Sequence, residues 1–128
     1  MAMVSRGAIG EILASRFLRE KGYEVVASNF RCRQGEIDII ATVKNFLVFV
    51  EVKTRQEKAL YAPREAVTAT KQKRLLQTAA LYLSRFPCDL QPRFDVVEVI
   101  TAANDPYRII EINHIIGAYE AGGLDAAF

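Results

Sequence analysis

Cysteine and histidine are scarce in this chain: two cysteines, Cys32 and Cys88, and one histidine, His114, among 128 residues. The cysteines stand far apart without metal-ligand spacing, which excludes a Cys/His zinc site and leaves reduced thiols in a cytoplasmic protein as the expectation. The single histidine lies in an apolar stretch and reads as a satisfied structural residue, so no Ser-His-Asp set is drawn from it. A glycine-rich phosphate loop is missing as well. No hydrophobic run is long enough to cross a membrane, and the start, MAMVSRGAIG, lacks the apolar core of a signal peptide. There are no repeats and no low-complexity segments. What remains is an ordinary globular composition, 51% hydrophobic and 25% charged, sized for one domain over residues 1–128.

The net charge of +2 says little about partners, but its distribution says more. Between Lys53 and Arg74 there are seven basic residues and two acidic ones, a local excess of +5. That run begins inside the stretch that organises the chain, GEIDIIATVKNFLVFVEVKTR, residues 35–55. Residues 36–43 alternate acidic or small side chains with Ile, and residues 46–52 are almost wholly apolar, as in a strand covered on both faces. Lys44-Asn45 is the polar break between them, so the stretch reads as a hairpin. With that two-residue turn, Val43 faces Phe46, Asp38 faces Glu51 and Glu36 faces Lys53. Opposed carboxylates repel, and burying one without a partner is costly. A cation belongs between them, and a hard divalent ion with oxygen ligands suits the donors. Lys53 shares the face of Glu51 because it lies two residues further along the strand. The bare spacing D-x(12)-E-x-K is a loose pattern. Taken alone it is read more plainly as an ion-paired patch in which Lys53 neutralises the acids.

Around this hairpin the order of elements is α-β-β-β-α-β-β. Residues 5–21 form an amphipathic helix capped by Ser5 and stopped by Gly22. Its Glu11 lies at the edge of the apolar stripe. Local sequence leaves it either complementing the helix dipole or aimed at the sheet as a third carboxylate. Residues 23–27 are a first strand ending at Ser28-Asn29, after which Arg31 and Arg33 ride into the hairpin, facing either phosphate or solvent. Residues 56–63 read as a loop and 63–67 as a helical turn. Thr68 caps a helix reaching Arg85, with Leu75, Leu76, Ala79, Ala80 and Leu83 inward and Pro87 ending it. Lys71, Lys73 and Arg74 fall in its first turns, where cations join free backbone N–H groups to hold phosphate; Lys71 lies nearest the helix start. Residues 93–100 are a strand set parallel to residues 46–52 by the crossover helix. A turn at 104–106 leads to an antiparallel edge strand at 107–112, and Gly122 begins a frayed tail.

GEIDII, then LVFVEVKTR, then EAV followed by Lys71, then RFDVV, resembles the YraN-like family of uncharacterised bacterial proteins. The likeness runs from Gly10-Glu11 to the INHIIGAYE stretch. That family is similar to the PD-(D/E)xK nuclease superfamily, near archaeal Holliday junction resolvases. The resemblance therefore implies a restriction-endonuclease-like core with a central mixed sheet flanked by helices. It implies that Asp38 and Glu51 bind the metal, that Lys53 is the motif lysine, and that Glu11 completes the site. Departures fall at Lys44-Asn45-Phe46, in place of a more polar turn, and at Gly117, where Asn is frequent.

The expectation is thus a Mg²⁺- or Mn²⁺-dependent endonuclease acting on structured or branched DNA. Asp38, Glu51, the Val52 carbonyl and Glu11 hold the ion, and Lys53 orients water and stabilises charge on the phosphate. Arg55, Lys71, Lys73, Arg31 and Arg33 face the nucleic acid, and a homodimer suits a two-fold branched substrate. The competing expectation is a non-catalytic module that binds nucleic acid or a partner and keeps the fold for its basic face; a purely structural ion cluster is a third.

Overall fold

The computed structural model describes residues 6–57 and 69–119. Within them the elements follow the expected order: α1 Arg6–Glu20, β1 Glu24–Cys32, β2 Gly35–Val43, β3 Phe46–Gln56, α2 Ala69–Arg85, β4 Gln91–Ala102 and β5 Asp105–Tyr119. The caps expected at Ser5 and Thr68, the turn at 63–67 and the tail from Gly122 lie outside the described residues. The strands form one mixed sheet in the order β1-β2-β3-β4-β5, antiparallel except for the parallel β3–β4 pair joined through α2. This is the arrangement expected of a restriction-endonuclease-like core. No described helix is long and apolar enough to cross a membrane.

Side-chain alternation on β3 explains why the sheet is covered on both sides. Val48 and Val50 pack with Ala14 and Leu18 of α1 and with Val97 and Val99 of β4. Leu47 and Phe49 pack with Leu75, Ala79, Ala80 and Tyr82 of α2 and with Phe94 of β4. A strand flanked by two apolar layers has no polar face, which is why residues 46–50 read as a continuous hydrophobic run. The buried face of α2 includes Thr78 and Tyr82, while the expected Leu76 and Leu83 are only partly buried.

α1 ends as its sequence requires. Gly22 has φ +93°, the Tyr23 N–H donates to the Leu18 carbonyl at 3.0 Å, and the Gly22 N–H donates to that of Arg19 at 3.0 Å. These are the paired bonds of a Schellman cap, which needs a residue in the left-handed region. Near the other end Gly10 presses against β3, and a Cβ there would collide with the Thr54 hydroxyl. That close approach brings the next residue, Glu11, over the sheet.

β3 and β4 run a few residues past their expected limits, and two strands depart further. β1 does not stop at Ser28-Asn29 but continues to Cys32, so Arg31 is a strand residue opposite Glu36 and only Arg33-Gln34 form the turn. The chain passes its own turn signal because Asn29 takes φ +54°, a conformation Asn tolerates, and the ladder with β2 resumes at Phe30. β5 extends well past residue 112, to Tyr119, and includes His114. It carries a bulge: Val96 pairs with Ile115 and Phe94 with Tyr119, so the step of two residues on β4 is matched by four on β5. Gly117, φ +62°, lies in that bulge.

A buried carboxylate holds this corner. Asp95 is fully buried and accepts from Arg93 Nε (2.9 Å) and Nη2 (2.8 Å), His114 Nε2 (2.7 Å) and the Gly117 N–H (3.0 Å). Burial by itself would push its pKa up; the bonds from His114, Arg93 and Gly117 and the Arg93 charge hold it below the usual value. Arg93 also donates to the Tyr23 hydroxyl at 2.7 Å, and Lys21 Nζ donates to His114 Nδ1 at 2.6 Å. The lone histidine is therefore bonded at both ring nitrogens, as the sequence suggested for a structural residue.

Candidate metal centre

The site begins where β2 parts from β3. Their ladder runs from Val43↔Phe46 to Ile39↔Val50 and ends there. The two-residue turn is as expected, with Lys44 at φ +51°. The next pair, expected to be Asp38 facing Glu51, is replaced by a side-chain bond: Asp38 Oδ2 accepts the Val52 N–H at 2.8 Å. On the other side of β2 the ladder also skips Asp38, pairing Ser28 with Ile39 and Phe30 with Ile37 around Asn29. Alternation breaks at the same point, since Ile37 and Ile40 belong to the α2 layer while Ile39 and Ala41 belong to the α1 layer. Asp38 thus lies in a fork between strands, tied to neither by a backbone pair.

Three carboxylates meet in that fork. One oxygen each from Glu11 on α1 and from Glu36 and Asp38 on β2 lies within 4.8 Å of the others. Asp38 responds as a crowded, half-buried acid must. Burial raises its pKa most, the Val52 N–H opposes the rise, and the charges of Glu11, Glu36 and Glu51 add to it, leaving it at about 7. Glu51 approaches from β3. Its Oε1 is 2.7 Å from Lys71 Nζ of α2, while its Oε2 is buried and, among the described residues, meets no hydrogen-bond donor, a state it shares with Glu98 Oε1. Such an oxygen is an open acceptor. Oxygen donors alone, most of them charged, suit a hard divalent cation. Glu36, Asp38, Glu51 and Lys71 together line one side of a cavity of about 280 Å³.

The profile of the family described as Uncharacterised protein family UPF0102 matches residues 10–99. The chain belongs to the UPF0102 family. It is 42% identical over 115 residues to a UPF0102 protein of Caldanaerobacter subterraneus, covering 88% of this chain and 93% of that one. A UPF0102 protein of Symbiobacterium thermophilum is 53% identical over 94 residues, 73% and 80% of the two chains. One from Clostridium botulinum is 46% identical over 106 residues, 80% and 86%.

The basic residues of this UPF0102 chain are placed less uniformly than its sequence implied. Lys53 is half-buried on the face of Glu51, with Glu98 of β4 as its backbone neighbour, and among the described residues it makes no ion pair. Arg55, expected to clamp DNA, points its Nη1 at Glu98 Oε2, 3.6 Å away. Lys71 is engaged with Glu51 rather than standing off as a pure phosphate ligand. Arg31 pairs with Glu36 at 2.7 Å, while Arg33, Lys73 and Arg74 are exposed. Glu36 was expected opposite Lys53 and instead joins Asp38.

Proposed function

We propose that this UPF0102 protein is a divalent-metal-dependent nuclease that hydrolyses phosphodiester bonds in structured or branched DNA. One observation carries the reading: Asp38 is held in a strand fork by the Val52 N–H, with Glu11 and Glu36 oxygens within 4.8 Å and its own pKa pushed up to about 7. Acids crowded in this way perturb one another even with Arg31 on Glu36 and Lys71 on Glu51, and functional sites are where such perturbation gathers. Asp38, Glu51, the Val52 carbonyl and Glu11 are the ligands expected for Mg²⁺ or Mn²⁺, and Glu36 joins them by its position. A cation bound there supplies polarisation of a phosphate oxygen and a water of lowered pKa. The rest falls to the chain. Asp38 releases its proton on loading. Lys53 holds the attacking water and the charge that grows on the phosphate. Lys71, at the wall of the cavity, meets the flanking backbone, with Arg31, Arg33, Lys73 and Arg55 as further contacts. Backbone contacts carry no base sequence, so selectivity is for shape, and two copies of the chain would match a two-fold branch.

Calorimetry with Mg²⁺ and Mn²⁺ tests the first half: wild type binds, and Asp38→Asn does not. Cleavage of forked and four-way DNA tests the second: Lys53→Ala loses at least ~100-fold in rate, the scale of a lost transition-state contact, while still binding DNA. A wild type that binds branched DNA but neither metal nor cuts would refute the nuclease and leave a binding module.

A further inference from the structure

The rest of the cavity's lining is aromatic and apolar. Phe49 on β3, Phe94 on β4 and Tyr119 on β5 are register partners across three strands, and all three line it. Their rings stack in a row, Phe49 to Phe94 at 5.3 Å and Phe94 to Tyr119 at 5.1 Å between centroids, each pair inclined by 27°. Ile37 and Leu75 complete the apolar side. A metal ion with a phosphate needs neither rings nor a cavity of about 280 Å³. That volume is near the lower end for small organic ligands, ~300 Å³, and suits one flat heterocycle. Tyr119 contributes a donor as well as a ring. Burial, and then the charges of Glu51, Asp38 and Asp95, hold its phenol above the usual pKa, so the hydroxyl keeps its proton.

From this juxtaposition we propose that the cavity is a nucleobase pocket, which takes one unpaired base from a nucleotide flanking the scissile phosphate. The proposal rests on the nuclease reading and sharpens its substrate: DNA in which a base beside the cut is already unpaired, as at forks, flaps and junction centres. Extruding a paired base costs unstacking and unpairing, which an unpaired base avoids, so the pocket itself selects against continuous duplex. Phe49 and Phe94 are fully buried and back the partly buried Tyr119, whose ring is the one offered to a base. Stacking on an aromatic ring tolerates any base, which keeps the selection structural rather than sequence-specific.

The test uses a fork whose cut site has been mapped with Mn²⁺, then remade with an abasic residue at each nucleotide flanking the cut. One of the two abasic forks is cut at least ~10-fold more slowly than the intact fork, from the loss of one base stack. Tyr119→Ala and the cavity-filling Leu75→Trp abolish that difference, and Tyr119→Phe retains it. In parallel, 2-aminopurine at the same nucleotide, bound with Ca²⁺ in place of Mn²⁺, is quenched by wild type and by Tyr119→Phe but not by Leu75→Trp. Equal cutting of intact and abasic forks, or no quenching by wild type, overturns the pocket while leaving the nuclease standing. Failure of wild type to cut any substrate overturns the nuclease and this role for the cavity with it.

Discussion

Asp38→Asn should make the metal-free protein more stable at pH 8 while abolishing its metal binding. The carboxylate is held in a fork with Glu11 and Glu36 and feels the charge of Glu51, and its pKa stands at about 7 against an ordinary 3.8. Below pH 3.8 it is protonated in both folded and unfolded chains, so it carries no penalty. Between 3.8 and about 7 the unfolded chain releases the proton and the folded one keeps it. The folded state then binds more protons, and stability falls as pH rises. Above 7 the penalty is complete. With full burial, each pH unit of that window would be worth about 1.4 kcal/mol. Solvent screening of a half-exposed carboxyl reduces the whole to roughly 1–2 kcal/mol. Asn retains an oxygen to accept the Val52 N–H and removes the charge. Its melting temperature in chelator at pH 8 should exceed that of wild type by about 3–8 °C, and the gap should close near pH 4. A variant less stable at pH 8, or a gap independent of pH, would refute the crowded-carboxylate account.

The same proton links to metal. Mn²⁺ affinity measured by calorimetry should rise about fivefold from pH 6 to pH 7 and about tenfold in all by pH 8, where it levels off, with close to one proton released per ion at pH 6. Gly10→Ala should push α1 off Thr54, costing roughly 1–3 kcal/mol in urea melts and weakening Mn²⁺ binding through Glu11; adding Thr54→Ala should restore both. Asp95→Ala should cost about 3–5 kcal/mol, because the Arg93 charge loses its partner. Because the Asp95 pKa is lowered, the stability it contributes is present above its ordinary 3.8 and lost as pH falls below that value, so the variant should differ least from wild type in strong acid.

Much of the fold was legible because it depends on periodicity. The apolar run at residues 46–50, the short polar break at Lys44-Asn45 and the helical spacing of Leu75, Ala79 and Ala80 each encode burial directly. The misread parts are those where a distant partner overrides a local signal. Ser28-Asn29 reads as a terminator, yet pairing with Ile39 on one side and Ile37 on the other carries β1 through it. The INHIIGAY stretch lacks clean alternation because it contains a bulge, and Asp95, over twenty residues earlier, supplies the bond that stabilises it. In the site, sequence spacing brought Asp38 and Glu51 to one place but not by the route assumed. It treated both as ladder partners, whereas Asp38 takes a backbone N–H that a ladder would have used. The Lys71–Glu51 pair joins α2 to β3, and no local pattern announces it.

The bulge in β5 also sets which residue completes the aromatic row. Continued evenly from Val96↔Ile115, the ladder would place Gly117 beside Phe94, and the third ring would be replaced by a hydrogen. The extra pair of residues, clasped by Asp95, moves the chain along until Tyr119 fills that slot. Adding or removing residues at this corner would therefore exchange the lining of the cavity without altering any residue of the packed core.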